Sequence, residues 1–107
     1  MPAELAGRAS VFAALGDETR LGLVGRLSAG PPQSISRLAS GSALTRQGVT
    51  KHLRVLEGAG LVRSARVGRE ARFELVPEPL KAARAYLDEV SAQWDDALAR
   101  LKSFVER

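Results

Sequence analysis

The chain of 107 residues has no cysteine and a single histidine, His52. Without cysteine there are no disulfides, no thiolate nucleophile and no thiolate metal site, and a cytoplasmic setting is expected. One histidine cannot build a zinc site unaided, and His52 has no Cys or Ser–Asp constellation around it for nucleophilic catalysis. Its helical angle between Val49 and Leu56 predicts a half-buried ring. Aromatics are scarce, with three Phe, one Trp and one Tyr. Apolar runs are only a few residues long, so no membrane span is expected. Glu4 and Arg8 interrupt the early apolar positions, which is not a signal-peptide pattern. These absences leave little room for an enzyme and none for a thiolate site.

What is present is basic charge, unevenly placed. Arg37 to Arg72 holds eight cations against two acids, a net +6, whereas Val76 to Arg107 holds five against six. A basic middle and a near-neutral tail point to a polyanion-binding surface and a separately employed C-terminal element. A solvated basic face is the bland alternative.

Helical spacing is expected over 3–15, about 18–28, 34–40, 45–58 and from about Leu80 onward. Asp17 is a candidate N-cap for the second helix and Thr45 for the fourth. Leu61–Val67 and Ala71–Val76 read as a hairpin around Gly68-Arg69-Glu70. The expected fold is mainly α with a small β-hairpin, a winged helix-turn-helix in the order α-α-α-α-β-β-α, as one domain over residues 1–107.

The stretch 45–73 carries the functional signal. Val49, Leu53 and Leu56 form an apolar stripe at i, i+4, i+7. Arg46, Gln47, Thr50, Lys51 and Arg54 fall away from it and offer cations for phosphates and polar groups for base edges. Gln47 can pair bidentately with adenine, and Gly48 allows close backbone approach. Arg66, Arg69 and Arg72 on the hairpin are candidates for minor-groove or backbone contact; the alternative is an edge hairpin kept soluble by charge. Asp88, Glu89, Asp95 and Asp96 are the dense acids, expected on a solvated helix face.

The last helix repeats apolar residues by threes and fours through Leu87, Val90, Trp94, Leu98 and Leu101. At about 25 residues it would be roughly 37 Å long, more than a small domain needs to cover itself. Pairing with a second copy, together with Leu5 and Phe12 of the first helix, would bury the excess and set two reading helices about one DNA turn apart.

The chain resembles the ArsR (arsenic-repressor-like) family of winged-helix transcription regulators. Leu15-Gly16-Asp17-Glu18-Thr19-Arg20-Leu21 is similar to the family's L-x-D-x-T-R-L opening of helix two. Val49 to Leu56 and Ala59-Gly60-Leu61-Val62 are similar to its V-S-x-H-L-x-x-L…A-G-L-V segment, and Gly68-Arg69 to the G-R of the wing. The resemblance implies a homodimer built on the first and last helices. It implies an inverted-repeat promoter operator of double-stranded DNA, and repression relieved by a small-molecule effector. By position it makes Gln47, Gly48, Thr50, Lys51 and Arg54 the DNA-reading residues, with Arg69 in the wing. Metal-sensing members carry a Cys-x-Cys near helix three or Asp/His ligands on the last helix. Here Ile35–Ala39 has no Cys, and the last helix has Asp88 but no His, so no metal is expected. The Trp-containing last helix resembles the metal-free branch, whose members are often encoded beside small ligand-binding cavity proteins. The rival reading is a winged-helix protein-interaction module without DNA binding, which would want an acidic or apolar fourth-helix face.

Overall fold

The computed structural model describes residues 3–106. The elements run α1 (Ala3–Leu15), α2 (Glu18–Ser28), β1 (Gln33–Ser34), α3 (Ile35–Ala39), α4 (Arg46–Gly58), β2 (Val62–Val67), β3 (Glu70–Leu75) and α5 (Pro77–Val105). The expected helices and hairpin are all present. One element is an addition: β1 pairs with the outer edge of β3, Gln33 opposite Phe73 and Ser34 opposite Arg72, giving a three-stranded sheet in the order β1-β3-β2. Two residues are too few to show the alternation by which a strand is recognised.

Local chemistry explains most boundaries. The Asp17 carboxylate accepts the Arg20 backbone N–H at 3.0 Å and caps α2. Ser34 caps α3 by accepting from the Arg37 N–H, which shortens the helix expected over 34–40 to its middle residues. Thr45 Oγ1 accepts from the Gly48 N–H at 3.0 Å and opens α4. Gly60, at φ +78°, supplies the left-handed residue that ends α4 and turns the chain into β2. Val67 pairs with Glu70, so the hairpin loop is two residues, Gly68-Arg69. Gly68 alone has positive φ there (+65°), the pattern of a type II′ turn whose twist suits the strands. Glu70, expected in the turn, is therefore the first residue of β3. α5 begins at Pro77 rather than Leu80, because prolines in a first turn lose no helical hydrogen bond.

Leu38, Val49, Leu53, Leu56 and Leu61 are completely buried and form the centre of the core, with Leu23, Leu27, Phe73 and Ala83 around them. α5 joins this core only at its start. Leu80 and Ala83 pack inward, and Tyr86 meets the Phe12 ring of α1 at 6.3 Å between centroids, with the Arg8 guanidinium 5.3 Å from the Tyr86 centroid. The helix then continues to a total of 29 residues, about 43 Å at 1.5 Å per residue. The radius of gyration is 18.3 Å, against about 13 Å for a compact chain of this size. Among the described residues no helix is long and apolar enough to cross a membrane.

Candidate nucleic-acid interface

α4 carries the site because its two faces are separated cleanly. Val49, Leu53 and Leu56 are at 0% exposure. Gln47, Thr50, Lys51 and Arg54 recur at i, i+3, i+4, i+7 on the opposite side, and all but the half-buried Thr50 are exposed. With Ile35 of α3, the residues Arg46, Gln47, Thr50 and Lys51 line a shallow cleft of about 340 Å³. The Thr50 hydroxyl donates to the Arg46 carbonyl at 2.8 Å, leaving its lone pairs to accept. At Gly48 an added Cβ would lie 3.4 Å from Thr45 Oγ1, a contact the fold can absorb, so packing does not demand glycine there.

The placement of acids separates the helices into two groups. α1, α2 and α5 each have an acid in the first turn, Glu4, Glu18 and Glu78. α3 and α4 have none, and α4 opens with Arg46. A helix N-terminus is electropositive, so carboxylates there are stabilising and a cation is not. α4 forgoes that stabilisation and concentrates positive potential at its exposed end.

The wing divides the three arginines that the sequence groups together. Register puts Arg66 opposite Ala71, on the sheet face of Ser64 and Phe73, and Ser64 Oγ lies 3.4 Å from Glu57 Oε2 of α4. Arg69 sits in the exposed loop. Arg72 lies on the other face, opposite Ala65, and pairs with Glu70 at 3.3 Å. Arg63 on that face is likewise paired, with Glu74 at 2.7 Å. Among the described residues Arg46, Lys51, Arg54, Arg66 and Arg69 make no ion pair.

Behind the exposed face, the Asp17–Arg20 segment braces α4. Arg20 Nε donates to the Ala14 carbonyl at 2.5 Å and so caps the end of α1. Its Nη1 lies 3.4 Å from His52 Nδ1, and Asp17 Oδ2 is 3.8 Å from the same nitrogen. The backbone bond from Arg20 holds the Asp17 carboxyl below the usual carboxylate range, partial desolvation opposes it, and the Arg20 charge assists. The His52 ring is half-buried, as its helical angle predicts. Asp17 was visible in the sequence as a cap; the bridging work of Arg20 was not.

A helix-turn-helix domain model matches residues 15–65. Over 93 residues the chain is 34% identical to the HTH-type transcriptional regulator Rv2034 of Mycobacterium tuberculosis, covering 87% of this chain and 83% of that one. An ArsR-like transcriptional regulator from Rhodococcus sp. RHA1 superposes with a TM-score of 0.81 at 41% identity, over 94% of this chain and 93% of the other. The chain belongs to the ArsR family of winged-helix transcriptional regulators. The fold is shared further, with the homodimeric winged helix-turn-helix DNA-binding domain of Mb0332 from Mycobacterium bovis, at TM-score 0.66 and 24% identity over 90% of this chain and 85% of that one. As an ArsR-family regulator the protein acts by binding DNA, and α3, the turn after it and α4 all lie within the matched residues 15–65.

On the chain's long last helix, Leu87, Trp94, Leu98 and Leu101 are exposed, and Trp94 is 63% exposed. Val90 is half-buried, as are Leu5 and Phe12 of α1. Phe12 is engaged within the chain by Tyr86. Asp88, Glu89, Asp95 and Asp96 are solvated, as expected.

Proposed function

We propose that this ArsR-family protein is a homodimeric repressor that occupies an inverted-repeat operator in a promoter. α4 lies in the major groove and the β2–β3 wing reaches the neighbouring minor groove. Gln47 and Thr50 meet base edges; Lys51 and Arg54 meet phosphates or guanine edges; Arg46 meets the backbone. Gly48 admits close approach, a use supported by the lack of any packing demand for glycine at that position. Arg69 at the wing tip and Arg66 contact DNA directly. Arg72, paired with Glu70, makes a weaker contact from the wing's other face.

The observation that carries this reading is the outward stripe of α4, cationic and without an acid in its first turn. An interaction module for acidic protein partners would need no such combination with an amide and a hydroxyl at groove-reading positions. The homodimer is supported by the bare apolar stripe of α5 and by the homodimeric state of the Mb0332 domain. α1 and α5 make the interface through Leu5, Phe12, Leu87, Val90, Trp94, Leu98 and Leu101. A small-molecule effector would act by favouring one dimer geometry over another.

The test is fluorescence anisotropy of the protein on its own upstream promoter fragment against a scrambled duplex, at two salt concentrations. Operator binding that survives near-physiological salt while scrambled binding does not is the expected result. Equal and salt-fragile binding to both duplexes would defeat the proposal.

A further inference from the structure

A second basic surface lies beyond the recognition stripe. A cleft of about 890 Å³ separates the outer side of α3 from the wing. Ser36 and Arg37 of α3 with Ser40 just past its end form one wall, and Glu70 with Arg72 of β3 the other. Two of its cations are already committed. Arg26 donates to the Leu38 and Arg37 carbonyls at 2.6 and 3.0 Å, closing the end of α3, and Arg72 is held by Glu70. Arg37 differs. It is exposed, and among the described residues it has no ion-pair partner. Among the described residues that line the cleft, Glu70 is the only acid.

The cleft adjoins the reading surface. Ile35 lines the shallow groove of Arg46, Gln47, Thr50 and Lys51, while its neighbours Ser34 and Ser36 line the larger cleft. Ser34 is in register with Arg72. A path from the first turn of α4 to the base of the wing therefore crosses the first turn of α3. With α4 in the major groove and the wing tip in the adjacent minor groove, one sugar–phosphate strand must pass between them.

We propose that the cleft takes this phosphodiester strand and that Arg37 is a phosphate-binding residue. The inference rests on the DNA-reading function proposed above. The cleft's size and the exposure of its free cation fit a long polyanion better than a small enclosed anion. A free phosphorylated molecule shares the chemistry, so the test separates the two sources.

Wild type, Arg37→Ala and Arg37→Lys are titrated against the promoter fragment and the scrambled duplex over a salt series. Arg37→Ala is expected to weaken both duplexes by the same factor, about tenfold at low salt. It is expected to reduce the slope of log affinity against log salt by about 0.9 for each phosphate that Arg37 neutralises. The operator-to-scrambled ratio should stay constant, because phosphates carry no sequence information. Arg37→Lys should keep most of the slope. Wild type that reads its operator while Arg37→Ala matches it in affinity and slope would overturn the inference and spare the function; wild type that discriminates nothing would remove both. Inorganic phosphate, followed by the Ser36 and Arg37 amide resonances of DNA-free protein, is expected to bind only weakly. Tight phosphate binding that Arg37→Ala abolishes without changing DNA affinity would reassign the cleft to a soluble anion and overturn the inference.

Discussion

α4 hides Val49, Leu53 and Leu56 completely, whereas α5 leaves Leu87, Trp94, Leu98 and Leu101 more than half exposed. Both helices carry an apolar stripe at the same spacing. α4 packs against α3, α1, α2 and β2, and its stripe is closed over within one chain. α5 docks on α1 through its first turns and then leaves the core. An amphipathic stripe states that a face avoids water; where the helix lies decides whether its own chain or another covers that face. The polar sides differ as well. That of α4 is cationic without an acid until Glu57, while α5 mixes Asp88, Glu89, Asp95 and Asp96 with Lys81, Arg84 and Arg100. One polar face is dominated by a single sign of charge and the other mixes both.

The largest expected effect sets the two stripes against each other. Leu53→Ala should destabilise the fold by about 2–5 kcal/mol, since it opens a cavity at a fully enclosed site. Leu98→Ala should shift the unfolding of dilute, monomeric protein by less than about 0.5 kcal/mol, as for ordinary surface positions. Urea unfolding of both variants checks this, and equal losses would erase the contrast. Next comes Trp94→Ala, which should weaken self-association by about 3 kcal/mol, roughly a hundredfold, with operator affinity falling in consequence. Sedimentation equilibrium reads it directly, and an unchanged monomer–dimer constant would remove Trp94 from the interface.

Lys51→Ala and Arg54→Ala sharpen the comparison from the polar side. Each should cost about 1–3 kcal/mol of operator binding if it meets bases, while melting temperature and dimerisation stay as in wild type. If neither variant changes affinity, the recognition stripe is misassigned. The smallest effect concerns the brace behind α4. The Asp17 carboxyl is held below its ordinary range in the folded chain. Its contribution to stability is therefore present above the unfolded-state value and is lost as pH falls through the folded one. Acid titration of the melting temperature should show a downward limb that Asp17→Asn flattens; identical acid limbs would refute the linkage.

The long elements were legible because their periodicity repeats. Val49–Leu53–Leu56 and the Leu87–Leu101 series each sample several turns, and Asp17, Thr45 and Gly60 mark their ends through backbone chemistry that acts within a few residues. β1 was not legible, because Gln33 and Ser34 become a strand only through the edge of β3 that they meet. Among the wing arginines the sequence sets apart only Arg69, in the turn; pairing register and Glu70 separate Arg66 from Arg72. Arg37 was hidden for the opposite reason. Its signal is an uncompensated cation in a five-residue helix without an early acid, and this gains meaning only once α3 is seen beside the wing.

The overhang of α5 also governs how the chain moves in solution. A protomer with dimensions of 68 × 30 × 22 Å reorients end over end far more slowly than it spins about its long axis. Helical N–H bonds lie nearly parallel to the helix axis, so those of α5 mostly sense the slow rotation. Nitrogen-15 relaxation in a dilute sample would therefore give α5 amides a higher ratio of transverse to longitudinal rates than amides whose N–H bonds lie across the long axis. Pairing of two such chains replaces this rod by a differently proportioned body, which makes the rate contrast a clock for assembly that needs neither dye nor DNA.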